Sequence, residues 1–100
     1  MSGAPAPLSE VACWAHARRK LYEVHVSTKS PAVETALKMI GDLFEVEADI
    51  RGRSPEDRRA ARQARSAPIL TDLRAFLDAT LARISGKSDL AKAIRYSTAR

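Results

Sequence analysis

The chain has few of the residues that support disulfides, membrane spans or a large aromatic core. Cys13 is its only cysteine, so no disulfide can close within the chain and nothing indicates an oxidising compartment. No run approaches the roughly 20 apolar residues of a membrane span, and no apolar signal-peptide segment follows Met1. Only 5% of the residues are aromatic, so the core must rest on leucine and isoleucine. These absences predict a cytoplasmic protein with a modest core and no membrane partner.

Positive charge outweighs negative charge in a chain long enough for one small domain. The 100 residues include 17 Lys plus Arg against 12 Asp plus Glu, which gives a formal net charge of +5. Twelve of the 17 cations are arginine, whose planar guanidinium suits bidentate contacts with phosphate. This balance favours a polyanionic partner.

Apolar residues recur at the three- and four-residue steps of helices over most of the chain. Residues 1–8, with two prolines and a glycine, predict a disordered N-terminal arm, and residues 9–100 predict a helical domain. No segment alternates with a period of two for long enough to predict a strand. The predicted fold class is therefore all-α, a small bundle of four to five helices joined by short loops. The side chains predicted to face its core are Trp14, Ala17, Leu21, Val24, Val33, Leu37, Ile40, Leu43, Phe44, Ile50, Ile69, Leu70, Leu73, Phe76, Leu77, Leu81, Ile84, Leu90, Ala91 and Ile94.

Glycine, proline and serine mark the predicted helix boundaries. Gly52 is predicted to end the second helix in a left-handed conformation. Gly41 lies inside that helix, where a close helix contact would explain its cost of roughly 1 kcal/mol relative to alanine. Pro68 is predicted to break or kink the helical run before it. The predicted N-caps are Ser30, Ser54 and Ser88.

Neither a metal site nor a nucleophile is indicated by the residues that could form one. Cys13 and His16 have the spacing of half a zinc site, but a tetrahedral site needs four ligands and His25 is the only other histidine. As a Cys–His nucleophile, the pair lacks an accompanying Gly-rich loop or nucleophile elbow. Glu45 and Asp49 lie one helical turn apart and could hold a divalent ion, but such pairs on helix surfaces are far more often simply solvated charges. We therefore predict no catalytic and no metal-binding residue.

Arginine is concentrated in residues 51–65, where six guanidinium groups fall within fifteen residues. On a helix, Arg58, Arg62 and Arg65 would share one stripe. One interpretation is phosphate binding, which is sensitive to salt and carries no sequence information. The other is an exposed helix whose charges are merely solvated, and the sequence leaves both open. No helix-turn-helix spacing indicates sequence-specific DNA recognition.

The strongest amphipathic run extends from Ile69 to Ile84. Its apolar stripe predicts ordinary core packing. If part of the stripe were exposed, it would instead support self-association or docking of a partner.

Six segments form an ordered set of motifs spread along residues 8–100. They are Cys13–Tyr22, Ala36–Phe44, Glu47–Arg51, Ser54–Arg59, Arg62–Leu70 and Gly86–Tyr96. Together they resemble the corresponding stretches in transposases of the insertion-sequence sixty-six family.

The resemblance implies a specific place within a larger enzyme. Such transposases are DDE enzymes, in which three acids on a ribonuclease-H-like core hold divalent metal ions such as Mg²⁺. The chain matches the mostly helical region between the second and third acids, as an excised insertion region would. The third acid of the family follows an Asn-Asn pair, and this sequence contains no asparagine. No catalytic residue or cofactor site is therefore carried over, and the chain is predicted to be inactive alone.

The predicted function is that of a transposase fragment or remnant with nonspecific affinity for DNA phosphates. It would be either a truncated reading frame or a piece of a longer protein. The alternative is a helical interaction module that self-associates or docks on a full-length transposase. The residues predicted to contact DNA are Arg18, Arg19, Lys20, Arg58, Arg59, Arg62 and Arg65.

Overall fold

Five α-helices and one π-helical turn account for most of residues 8–98, the part of the chain that the computed structural model describes. They are α1 (Leu8–Thr28), α2 (Pro31–Ile50), α3 (Pro55–Ala61), the π turn (Arg62–Ser66), α4 (Ala67–Arg83) and α5 (Asp89–Thr98). No strand occurs in this range, and the predicted all-α bundle is confirmed. The N-terminal arm predicted for residues 1–8 lies outside the described residues except for Leu8, where α1 begins.

Short, well-defined turns connect α1, α2 and α3. Lys29 has a left-handed backbone, with φ of 55°, and its N–H bonds to the carbonyl of His25 at 2.8 Å. Gly52 has φ of 87°, as predicted, and the N–H of Arg53 reaches back to the carbonyl of Ile50 at 3.0 Å. Glycine takes this conformation without strain because it has no Cβ. These turns fold α2 back on α1 and bring α3 beside the C-terminal end of α2.

Serine side chains cap two helices as predicted. The hydroxyl of Ser54 accepts a bond from the N–H of Asp57 at 3.1 Å, and that of Ser88 accepts one from Ala91 at 3.0 Å. Each bond satisfies a donor that the first turn of a helix would otherwise leave open. Ser30 occupies the N-cap position of α2 with an extended backbone, but its side chain makes no capping bond.

Pro68 is accommodated by a wider turn, which is the form that the predicted break takes. The N–H of Ala67 bonds to the carbonyl of Arg62, five residues earlier, as in a π-helix. Proline offers no N–H and crowds the carbonyl four residues before it, and a wider turn relieves both problems. Helical structure thus continues from Pro55 to Arg83. Ser66, inside the turn, is buried and its hydroxyl has no hydrogen-bond partner among the described residues.

One core joins the helices. α1 packs against α2 and α5, while α4 packs against α2 and α5. Trp14 is buried, with the guanidinium carbon of Arg74 6.0 Å from its ring centre. The predicted inward positions are buried or partly buried. The fully or nearly fully buried ones are Trp14, Ala17, Leu21, Val24, Val33, Ile40, Leu43, Ile50, Leu70, Leu73, Leu77, Ala91 and Ile94.

The apolar stripe of α4 belongs to this core. Leu73 and Leu77 are buried, and Phe76 and Ile84 are partly buried against the same cluster. The large apolar side chains that are exposed among residues 13–98 come from α1 and α5. The stripe therefore packs in the core, as the sequence predicted, and is not an exposed surface for self-association or docking. None of the described helices combines the length and the apolar composition that a bilayer crossing requires.

Gly41 lies in α2 without the close helix contact that the sequence suggested. A Cβ built at this position would have no atom of the described residues within 4 Å, beyond its own helix and neighbours.

We expect Gly41→Ala to raise the free energy of unfolding by about 0.5–1 kcal/mol, because alanine loses less backbone entropy in a helix. Urea denaturation followed by circular dichroism measures the change. A lower midpoint for Gly41→Ala would show that the position is crowded after all.

Candidate nucleic-acid interface

Three of the predicted DNA-contacting residues lie on α1 and are exposed. Arg18 and Arg19 form no ion pair with any described residue. Lys20 points towards α5, where its Nζ lies 5.6 Å from the ring centre of Tyr96. The three cations therefore divide between two sides of α1, with Arg18 and Arg19 on the open side.

Tyr22 and Val26 share the open side of α1 with the two arginines. Tyr22 follows Arg18 by four residues and Arg19 by three, which places the three side chains next to one another on a helix. Tyr22 is 56% exposed and Val26 is 54% exposed. The sequence prediction omitted Tyr22, although its position outside the stripe of Trp14 and Leu21 indicates exposure. The open side of α1 thus combines guanidinium groups with an aromatic ring.

Arg62 is held by Glu47 across the α2–α3 connection. Its Nε donates to Glu47 Oε2 at 2.8 Å and its Nη2 donates to Oε1 at 2.7 Å. The two side chains are only 14% and 16% exposed. The hydrogen bonds from Arg62 to Glu47 raise the pKa of the guanidinium above its ordinary value, outweighing burial, which lowers it. This bidentate pair fixes the π turn against α2.

The other predicted residues of this segment differ in how their side chains are engaged. Arg65 Nη2 donates to Asp49 Oδ2 at 2.9 Å, so Asp49 is an ion-pair partner and not simply a solvated charge. Arg58 Nη1 donates to the carbonyl of Arg53 at 2.8 Å. Arg59 is exposed and pairs with none of the described carboxylates. The predicted stripe of Arg58, Arg62 and Arg65 is therefore partly occupied by contacts within the protein.

The Glu47–Arg62 pair should stabilise the fold more than an exposed ion pair does, because both side chains are largely buried. We expect Glu47→Ala to lower the free energy of unfolding by about 1–3 kcal/mol, because it leaves a poorly solvated guanidinium without its acceptor. Arg62→Ala should cost a similar amount, and the double variant should cost less than the sum of the two. Denaturation of the four proteins in a double-mutant cycle measures the coupling.

A matched control is Lys38→Ala, which breaks an exposed pair with Asp42 at 3.9 Å. That change should alter the free energy of unfolding by less than about 0.5 kcal/mol. Strict additivity of the Glu47 and Arg62 substitutions would contradict the expected coupling.

The remaining candidate ligands do not converge. Cys13 is partly buried, and His16 is exposed. His25 Nε2 lies 3.0 Å from Glu34 Oε2, so this histidine joins the end of α1 to the start of α2. Within the described part of the chain, no three His, Cys, Asp or Glu side chains group as a metal site would require. These residues do not fit the paired metal ions of a DDE enzyme.

Comparison with known proteins identifies the family. The model of the Transposase IS66 family, the insertion-sequence sixty-six family, matches residues 3–100. The uncharacterized protein y4jD of Sinorhizobium fredii (strain NBRC 101917 / NGR234) is 44% identical over 94 residues, which cover 94% of this chain and 18% of that protein. A second uncharacterized protein of the same strain, y4qI, is 34% identical over 99 residues, which cover 99% of this chain and 18% of that protein.

The chain therefore spans about a fifth of the length of the curated relatives that it matches. No solved structure matches it. The match of the family model over nearly every residue, together with the ordered motifs, shows that this chain belongs to the IS66 family of transposases.

Proposed function

We propose that this chain is a helical region of an IS66-family transposase that contacts DNA phosphates and does not itself cleave DNA. The observation that carries the proposal is the open side of α1, where Arg18 and Arg19 are exposed and pair with no described carboxylate. Guanidinium groups that pair with no described carboxylate remain available for phosphate, which they bind in a planar, bidentate manner. The family supplies the reason to expect DNA as the anion.

The exposed ring of Tyr22 supports nucleic acid over a generic polyanion. Aromatic rings between cations serve as stacking surfaces for unpaired bases, while the cations follow the backbone. Tyr22 lies beside Arg18 and Arg19 on α1 and is 56% exposed. Phosphate contacts of this kind give affinity without sequence preference.

A second basic region lies where α2 meets α3. Arg51, Arg53 and Arg59 are exposed, and Arg58 is partly exposed. Arg62 and Arg65 are held by Glu47 and Asp49, and we assign them mainly to holding this region in place. The proposal therefore assigns most of the DNA contacts of this segment to the exposed or partly exposed arginines, Arg51, Arg53, Arg58 and Arg59.

Strand cleavage and joining belong, on this proposal, to acids outside this chain. The family's chemistry needs carboxylates that hold divalent ions, and the described side chains form no such group. Whether the chain acts as part of a longer protein or beside one, its contribution would be to position DNA.

Gel retardation with two duplexes of unrelated sequence tests the proposal. At low salt we expect binding of both duplexes with similar affinity. The double variant Arg18→Ala/Arg19→Ala should bind DNA more weakly than the control variant Arg83→Ala/Lys87→Ala. The control also removes two positive charges, but from the end of α4 and the loop after it. Failure to retard either duplex at low salt would reject DNA binding.

A further inference from the structure

A groove of about 700 Å³ lies between the C-terminal end of α2 and the start of the α3–π run. Its volume falls within the range of small-ligand sites, roughly 300–1,000 Å³. Three of its side chains are arginines and one is a carboxylate, so the lining carries an excess of positive charge. The lining residues are Phe44, Glu47, Ile50, Arg51, Gly52, Arg58 and Arg62.

Two of the three guanidinium groups are already oriented by contacts within the protein. Arg62 is fixed by its two bonds to Glu47, and Arg58 by one bond to the carbonyl of Arg53. Each keeps nitrogen atoms outside those bonds, and Arg51 is exposed at the end of α2. Groups held in place before binding lose less conformational freedom when an anion arrives. Arg58 is therefore held in place before a phosphate arrives, and the exposed Arg51 lines the same groove.

The floor of the groove adds an apolar surface to this charge. Phe44 provides it, because its side chain packs against the core but is only partly buried; Ile50 also lines the groove but is buried. An inorganic phosphate would leave that surface unused, and an apolar ligand would leave the arginines unpaired. A ligand with a phosphate at one end and a flat ring at the other satisfies both parts.

We propose that this groove binds one nucleotide of single-stranded DNA, its phosphate on Arg51 and Arg58 and its base against Phe44. The inference rests on the DNA binding proposed above and adds a defined subsite to it. Single-stranded DNA is required because a base within a duplex is stacked and paired, and its ring face is not available to an aromatic side chain.

Arg58 and Arg83 provide a matched pair of variants. Arg58 lines this groove, whereas Arg83 is exposed at the end of α4 and is not among the groove's lining residues. Binding of a fluorescein-labelled tetranucleotide is measured by anisotropy for the full chain. We expect Arg58→Ala to weaken binding about tenfold or more, as loss of a charge-assisted phosphate bond does. Arg83→Ala, with the same change in net charge, should weaken it less than about twofold.

A second arm tests the apolar floor. Phe44→Leu keeps an apolar side chain but removes the ring, and should weaken tetranucleotide binding several-fold, by about the energy of one stacked base. Circular dichroism checks that each variant is folded. In competition experiments, thymidine 5′-monophosphate should displace the tetranucleotide at a lower concentration than either thymidine or inorganic phosphate.

The outcomes separate this inference from the proposed function. Equal losses for Arg58→Ala and Arg83→Ala would overturn the groove, because a diffuse electrostatic field does not distinguish one exposed arginine from another. Binding of duplex but not of the tetranucleotide would overturn the groove alone. Absence of binding to both would overturn the groove and the proposed function together.

Discussion

Leu21→Ala is expected to lower the free energy of unfolding by about 2–5 kcal/mol. Leu21 has no exposed surface and belongs to the central cluster, on the helix that packs against both α2 and α5. Removing its side chain loses apolar burial and leaves a cavity that neighbouring helices fill only in part. Because domains of this size have total stabilities of only about 5–15 kcal/mol, the loss is a large share of the whole.

The adjacent residue provides the control for this prediction. Tyr22 is 56% exposed on the same helix, so Tyr22→Ala should change the free energy of unfolding by less than about 1 kcal/mol. Urea denaturation of both variants, followed by circular dichroism, measures the two changes. Equal and small effects would show that α1 does not pack as described.

The architecture follows from features that the sequence displays directly. Steps of three and four between apolar residues identified the inward side of α1, α2, α4 and α5, and Trp14, Leu21, Leu73 and Ile94 are all buried. Hydrophobic burial is the largest favourable term in folding, so a pattern that specifies burial also specifies which face of a helix is inside. The start of α3 was predictable for a different reason, because the hydroxyl of Ser54 satisfies an N–H that the first turn of a helix leaves open.

Two local predictions required information that a linear pattern does not contain. Gly41 suggested a close helix contact, but whether a neighbour fills the space above a glycine depends on tertiary packing, and here it is open. Pro68 had to disrupt the regular helix, yet the sequence did not specify how. In the structure the disruption is a single π turn, after which α4 continues as a regular helix. The continuation is favourable because α4 packs against α2 in the core.

Counting charges along the sequence located the basic segment, but it could not show which of its arginines form ion pairs within the protein. Arg62 and its partner Glu47 are fifteen residues apart, and they meet only because the turn at Gly52 brings α3 back along α2. An ion pair of this range depends on the fold, so composition could not separate it from free positive charge. The same fold leaves Arg18 and Arg19 unpaired with described carboxylates, which is why α1 carries the functional proposal.

The dependence of DNA binding on salt should be steep and should differ between these two classes of arginine. Each phosphate contact contributes about −0.9 to the slope of log affinity against log salt on duplex DNA. If five side chains of the chain meet phosphates, the slope is about −4.5 and affinity falls about 500-fold between 50 and 200 mM salt. Fluorescence anisotropy over a salt series measures the slope.

Variants then assign the slope to particular side chains. Arg18→Ala/Arg19→Ala should make the slope shallower by about 1.8, because two phosphate contacts are lost. Arg62→Ala should leave the slope unchanged although it removes the same kind of charge, because the guanidinium is already neutralised by Glu47. Glu47→Ala, conversely, should strengthen binding by freeing Arg62 while destabilising the fold. An unchanged slope for the α1 variant, or an equal loss for Arg62→Ala, would mean that DNA senses only net charge and that the open side of α1 is not the contact surface.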